Sequence, residues 1–300
     1  MRRVLSATCV LVFLFGEATC VRAEDSVYSR TENVVYSVRD GVGLILDIFQ
    51  PKQGTNGLGI VNVMSGAWYS EEAQLRAHFR AKVFEAYCSR GFTVFMIRPG
   101  SRTLFTGEEM VKNMKTGIRW VKAHSAEYKV DPARLGIMGA SAGGHLALMC
   151  LVTAEEGNPA AENQLERPDT KLAAAGIFFP PTDLLDWGGE KDGYRKLPDL
   201  YFKCGIEGVP EDQVLAKVES LSPARLIKFP PPPMLLIHGD SDTVVPLSQS
   251  EKLVEAVRKV GGEVELIVKP GGAHPWPTLN EEVEVMAEWF LKTLVSSGSR

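Results

Sequence analysis

Metal and redox chemistry have little to draw on in this sequence. Five histidines and five cysteines are spread over 300 residues. No cluster of them has zinc-site spacing, so no metal and no cofactor is expected. Cys9 and Cys20 fall in the N-terminal leader described below, which leaves Cys88, Cys150 and Cys204. Three thiols allow one disulfide at most, and none is predicted. Cys88 and Cys150 lie in predicted helices and read as small buried apolar residues. Charge of one sign is not in excess either. A formal net charge of −4 and an isoelectric point near 5.8 give no electrostatic footing for a nucleic-acid partner. Internal repeats and low-complexity tracts are lacking. The longest mostly apolar stretch is N-terminal, Val4 to Phe15, about 12 residues where a membrane span needs about 20, so no stable membrane anchor is expected.

That run belongs to a leader. Arg2-Arg3 precede it, polar residues follow it, and Val21-Arg22-Ala23 puts tolerated residues at −3 and −1 of a cleavage site before Glu24. Residues 1–23 are predicted to be a secretory signal peptide, sending the chain to the periplasm or the outside. A lipoprotein reading at Cys20 is disfavoured, because Glu17-Ala18-Thr19 lacks the usual aliphatic residue. The rest, 24–300, is expected to form one domain. Its composition, 45% hydrophobic and 23% charged over the whole chain, is that of a globular protein with a full core.

The organising stretch is Gly139-Ala140-Ser141-Ala142-Gly143, a match to G-x-S-x-G. Short apolar Arg134 to Met138 before it predicts a strand, and Gly144 to Leu151 after it predicts a helix. A strand, a tight turn and a helix are what a nucleophile elbow requires. The serine sits in strained backbone, so its neighbours two residues away must be very small. The helix that follows aims its N-terminal amides where an oxyanion would develop.

Strand and helix signals alternate along the chain. A hairpin over 33–38 and 43–49 is signalled by Asp40-Gly41. Then come strand 58–64, one helix over about 71–90, strand 92–97, helix 107–124, and the elbow strand and helix. Strand 172–179, strand 234–238, helix 247–260, strand 263–268 and helix 281–295 complete the series. The alternation predicts an α/β protein with a mostly parallel, eight-stranded sheet covered on both faces.

Eight strands opening on a hairpin, with the elbow after the fifth, resemble the α/β-hydrolase fold. In that superfamily the chain order is Ser, then Asp or Glu, then His. His238-Gly239-Asp240-Ser241-Asp242-Thr243-Val244-Val245-Pro246 resembles the family's H-G-x-x-D-x-x-V-P turn, whose second acid, Asp242, is the triad member; Asp240 is the alternative. Gly271-Gly272-Ala273-His274-Pro275 follows the last strand, where the triad histidine belongs. The resemblance thus implies Ser141 as nucleophile, His274 as general base and acid, and Asp242 as its orienting partner. His238 is expected to close its strand with a hydrogen bond, His145 to pack behind the elbow, and His78 and His124 to lie on the surface.

For the oxyanion hole the resemblance implies the Ala142 amide and one from the loop after the third strand. The family usually carries H-G-G-x-W or H-G-G-G there; this chain reads Ser65-Gly66-Ala67-Trp68. Either Gly66 or Ala67 can supply the second amide, since every non-proline residue has one. Ser65 stands where the family's bracing histidine would be, and is expected to brace the loop with a shorter reach. Trp68, beside that loop, and Trp276, two residues past His274, are expected at the pocket mouth.

The resemblance covers about 34–295 and points to the esterase/lipase branch, similar to bacterial esterases, to acetylxylan-esterase-like hydrolases and to prolyl oligopeptidase catalytic domains. Region 154–223 is the least regular and is expected to form a small cap, because Trp187, Tyr194, Tyr201 and Phe202 are more apolar than a plain loop needs. The favoured function is a secreted serine esterase acting on short-acyl esters of carbohydrate or a similar alcohol. The alternatives are a peptidase of the prolyl oligopeptidase type, for whose propeller the stretch before Asn33 is too short, and an inactive hydrolase-fold binding protein.

Overall fold

The computed structural model describes residues 26–297; the predicted leader, 1–23, lies outside them. The described chain opens on an antiparallel hairpin, β1 (Tyr28–Arg39) and β2 (Val42–Pro51). Its turn residues Asp40 and Gly41 both take positive φ, 51° and 77°, the twist of a two-residue hairpin turn that an Asp-Gly pair adopts readily. Then follow β3 (Gly59–Val63), α1 (Glu72–Arg80), α2 (Val83–Cys88), β4 (Thr93–Ile97), α3 (Gly107–Ala123), β5 (Leu135–Ala140) and α4 (Ala142–Val152). The second half runs β6 (Ala174–Phe178), α5 (Pro198–Tyr201), α6 (Glu211–Ser220), α7 (Pro223–Leu226), β7 (Met234–Gly239), α8 (Ser248–Lys259), β8 (Val264–Lys269) and α9 (Leu279–Ser297).

The strands form one sheet in the order β1-β2-β4-β3-β5-β6-β7-β8. β2 pairs antiparallel with β1 and β4, and every other pair is parallel. β3, β4, β6 and β7 are buried at every position, which is why they read as short unbroken apolar runs and not as alternating ones. One face carries α1, α2 and α9 through Leu75, Phe84, Tyr87, Met286 and Phe290. The other carries α3, α4 and α8 through Met110, Ile118, Leu146 and Leu253. α3 starts on a reciprocal cap: the Glu109 carboxylate accepts from the Thr106 amide at 2.8 Å, and the Thr106 hydroxyl accepts from the Glu109 amide.

Two expectations are corrected. The single helix over 71–90 is broken after Arg80, where Lys82 takes a left-handed φ of 53° and α2 restarts in a new direction. Region 154–223 also divides. Residues 154–171 precede β6 and are pinned to α3 by Lys115–Glu155 (2.7 Å), Arg119–Glu155 (2.9 Å) and Lys122–Asp169 (2.5 Å). Only the part after β6 reaches the C-terminal edge of the parallel strands, where the candidate residues gather.

Candidate active site

Ser141 follows β5 directly, with φ 54° and ψ −124°. A non-glycine residue there stores on the order of 1–3 kcal/mol of backbone strain, held by the packed strand and helix on either side. Space is as tight as the motif predicts. A Cβ on Gly139 would lie 2.4 Å from the Gly143 carbonyl oxygen, so a side chain there would force α4 off the sheet. The Ser141 amide is spent on the Phe178 carbonyl (2.9 Å), which fixes the turn to β6.

The structure brings the three predicted side chains into one line. Ser141 Oγ donates to His274 Nε2 at 2.8 Å, and His274 Nδ1 donates to Asp242 Oδ2 at 2.6 Å. The other carboxylate oxygen of Asp242 accepts the Val244 and Val245 amides, both at 2.8 Å. Burial alone would raise the Asp242 carboxyl, but hydrogen bonds from His238, His274 and the Val245 amide hold it far below the usual carboxylate range. Asp240, the alternative acid, is exposed and turned away: its Oδ1 accepts the Gly271 amide at 2.7 Å. It ties together the two loops that carry Asp242 and His274. Those loops also touch backbone to backbone, since a Cβ on Gly239 would fall 2.1 Å from the Gly272 carbonyl oxygen. Phe179, which the sequence did not single out, sets its ring 4.6 Å from the His274 imidazole, edge to face.

The loop after β3 is a two-residue turn. Gly66 and Tyr69 exchange both backbone hydrogen bonds (2.9 and 2.8 Å), and Ala67 and Trp68 between them take φ of 47° and 62°. The Gly66 amide is therefore occupied. The Ala67 amide and the Ala142 amide, the first of α4, meet no acceptor among the described residues. The expected brace by Ser65 is not made: its buried hydroxyl has no partner. The loop is held instead by main chain, Gly143 N–H to the Ser65 carbonyl at 3.0 Å, and by the Ser70 hydroxyl, which donates to the Met64 and Gly100 carbonyls.

Both tryptophans expected at the mouth are buried, each 4% exposed. Trp276 donates to Glu282 at 2.6 Å, packs on Phe179, and lines neither cavity at Ser141. Trp68 borders one cavity, but its indole N–H donates to His145 Nδ1 at 3.1 Å. His145, fully buried behind the elbow as expected, then donates from Nε2 to the Leu221 carbonyl at 2.7 Å. Burial pushes His145 down to about 4, although the Leu221 carbonyl favours its N–H. His238 bonds Ser250 and the Val245 carbonyl and closes its strand as expected. His124 stacks on Trp120. His78 is half-buried, not on the open surface as expected: it lines a cavity at Ser141, between the Gln74 carbonyl (2.7 Å) and the Asn62 side chain (3.0 Å), and burial pushes its pKa down. Neutral His78 that donates to Gln74 must accept at Nε2. Turning the Asn62 amide nitrogen toward it satisfies both groups.

Two cavities meet at Ser141. One, of about 490 Å³, runs between α1 and the start of α9 and is walled by Ala77, Val83, Phe179, Leu279 and Val283. The other, of about 560 Å³, is walled by Trp187, Glu190, Lys196, Thr243 and Pro246. Neither is lined by any residue of 154–171. Among the described residues no group of His, Cys, Asp and Glu is placed to hold a metal ion, and no helix is long and apolar enough to cross a membrane.

A sheet in this strand order, with an elbow serine after β5, an acid after β7 and a histidine after β8, defines an α/β-hydrolase. Within that class the chain belongs to the BD-FAE family, whose model it matches over residues 46–257, and so to the esterase branch. It is similar to the probable carboxylic ester hydrolase LipM of Mycobacterium tuberculosis, 25% identical over 201 residues, which are 67% of this chain and 45% of LipM. It spans about half the length of the first curated relatives it matches. Among solved structures it resembles a truncated carbohydrate esterase from gut microbiota, with a TM-score of 0.77 and 26% identity over 90% of this chain and 98% of that one. The propionate-bound esterase Est2 of Thermogutta terrifontis superposes with a TM-score of 0.68 and 26% identity, over 87% and 93% of the two chains.

Proposed function

We propose that this chain hydrolyses carboxylic esters through an acyl-enzyme on Ser141, and that its substrates carry short acyl groups on a carbohydrate or similar alcohol. The observation behind the reading is the continuous line from Ser141 Oγ through His274 to Asp242 beside two unoccupied amides. His274 Nε2 takes the Ser141 proton as Oγ attacks the ester carbonyl carbon. The Ala67 and Ala142 amides receive the negative oxygen. Collapse breaks the carbon–alkoxide bond, and His274 returns its proton to the leaving alcohol. Water then attacks the acyl-enzyme with His274 again as base, releasing the acid and restoring Ser141. Asp242 stays charged throughout and holds His274 with Nδ1 protonated.

The short-acyl, carbohydrate part rests on three further points. The structural neighbours include a carbohydrate esterase and an esterase holding propionate. The excursion after β6, which we take as a small cap, offers no long apolar stretch for a long acyl chain. The signal peptide would place the enzyme where ester-decorated polymers occur. The test is kcat/KM for p-nitrophenyl esters from C2 to C12, acetate release from acetylated xylan, and proline amides as peptidase substrates. An organophosphonate probe should label wild type at Ser141, and Ser141→Ala should lose on the order of 10⁴-fold in turnover with the fold intact. Rates rising toward C12, or no acetate from any saccharide, would remove the substrate assignment. An active Ser141→Ala enzyme would remove the mechanism.

A further inference from the structure

The two cavities at Ser141 differ in chemistry, and the difference assigns the two halves of the ester. The cavity against α1 and α9 has mostly aliphatic and aromatic walls. The other also has apolar walls, but it is bordered by a half-buried tryptophan, an ion pair and two glycines. We propose that Trp187, with Glu190 and Lys196, forms the subsite that binds the saccharide alcohol, and that the acyl group enters the cavity under α1. This rests on the carbohydrate ester reading given above.

Trp187 is built into place. Residues 187–190 form a second two-residue turn, in which Trp187 and Glu190 exchange backbone hydrogen bonds (3.0 and 3.3 Å). Gly188 and Gly189 at its tip have φ of 67° and 97°, values that glycine adopts without strain. A Cβ on Gly188 would also lie 2.7 Å from the Pro246 ring, so the turn sits hard against the loop that carries Asp242. The Trp187 indole N–H donates to the Val244 carbonyl at 3.2 Å, two residues from Asp242. The ring orientation is thereby coupled to the triad loop. Glu190 and Lys196, paired at 2.8 Å, leave 47% and 70% of their side chains exposed and keep hydrogen-bonding capacity beside the ring. A rigid aromatic face beside a carboxylate and an ammonium suits a pyranose, whose C–H face is apolar and whose rim is hydroxyl. An aliphatic or lipid alcohol would leave the ion pair without use.

The test compares wild type with Trp187→Ala and Trp187→Phe on acetylated xylo-oligosaccharide and on p-nitrophenyl acetate. The ratio of the two kcat/KM values should fall about tenfold in Trp187→Ala, through KM for the saccharide, and recover in part in Trp187→Phe. Binding of unacetylated xylo-oligosaccharide to Ser141→Ala is titrated by tryptophan fluorescence and calorimetry, and should be lost in Ser141→Ala/Trp187→Ala. If wild type releases acetate from the saccharide but the ratio is unchanged in Trp187→Ala, the subsite is wrong and the substrate reading stands. If no saccharide ester is cleaved yet Ser141→Ala binds the oligosaccharide through Trp187, the substrate reading is wrong and the subsite stands. Equal losses on both substrates, or no binding by Ser141→Ala, overturn the subsite.

Discussion

His145 makes the loop after β3 sensitive to acid, by an amount that follows from its surroundings. Its Nδ1 accepts the Trp68 indole N–H and its Nε2 donates to the Leu221 carbonyl. Only the neutral ring can do both, since a proton on Nδ1 would face the indole N–H. Burial holds the folded value down at about 4, whereas an unfolded chain's histidine titrates near 6.5. The unfolded state therefore binds the proton first. The stabilisation is complete above about pH 6.5, is lost as pH falls toward 4, and levels off below. Between pH 7 and 5 the loss from this one residue is on the order of 2 kcal/mol. His145→Gln keeps a donor and an acceptor in a similar place and cannot titrate. Urea unfolding at pH 7 and pH 5 should show wild type losing about 2 kcal/mol more than the variant across that interval. The His145 ring proton should also show no titration shift by NMR above pH 5. Equal losses in the two proteins, or a ring that titrates near 6, would refute the argument.

Asp242 is held far below the usual carboxylate range by its hydrogen bonds, so its carboxyl should stay ionised from pH 8 to pH 5; infrared difference spectra of wild type against Asp242→Asn should show no protonated-carboxyl band from it in that interval, and such a band would contradict this. Asp242→Asn should lower kcat by about 10³ to 10⁴, as in other triads where the acid becomes an amide. Gly239→Ala puts a methyl into the Gly272 carbonyl and separates the Asp242 and His274 loops; kcat should drop sharply while circular dichroism stays native-like, and wild-type kcat would show that the loops can part without harm. Ser65→Ala removes a buried hydroxyl that has no partner, so stability should change by less than about 1 kcal/mol in steady-state unfolding, and a larger loss would reveal a partner.

What could be read in advance depended on whether a residue's position is set locally. Ser141, Asp242 and His274 each follow a strand end within a few residues, and short turn motifs fix where their side chains go. Buried central strands announce themselves as apolar runs. The tryptophans were misplaced because distance along the chain does not give side-chain direction. Trp276 stands two residues from His274, yet its ring turns into the core on Phe179 and Glu282. Trp187 was visible only as surplus apolarity; the Gly188-Gly189 pair after it was the overlooked turn signal. The choice between Gly66 and Ala67 needed the Gly66–Tyr69 pairing, which spacing does not specify. Likewise the break at Lys82 and the inward turn of His78 come from packing of α1 and α2 on the sheet, against a local sequence that would allow one continuous helix.

Ser141 and His274 are 133 positions apart in the chain, and Asp242 and His274 are 32 apart. The elbow, by contrast, is a local unit that can form as soon as β5 and α4 dock. If Ser141 is the nucleophile proposed above, a chain emerging from synthesis exposes its hydroxyl long before His274 can reach it, so partly folded forms carry the hydroxyl and no hydrolytic power. On the proposed mechanism, turnover thus reports a non-local event, the docking of the β7–β8 end of the sheet beside the elbow, which closes a contact 133 positions long. In a refolding experiment, regain of activity should trail the recovery of helical signal, which makes activity a readout of when Ser141 and His274 meet.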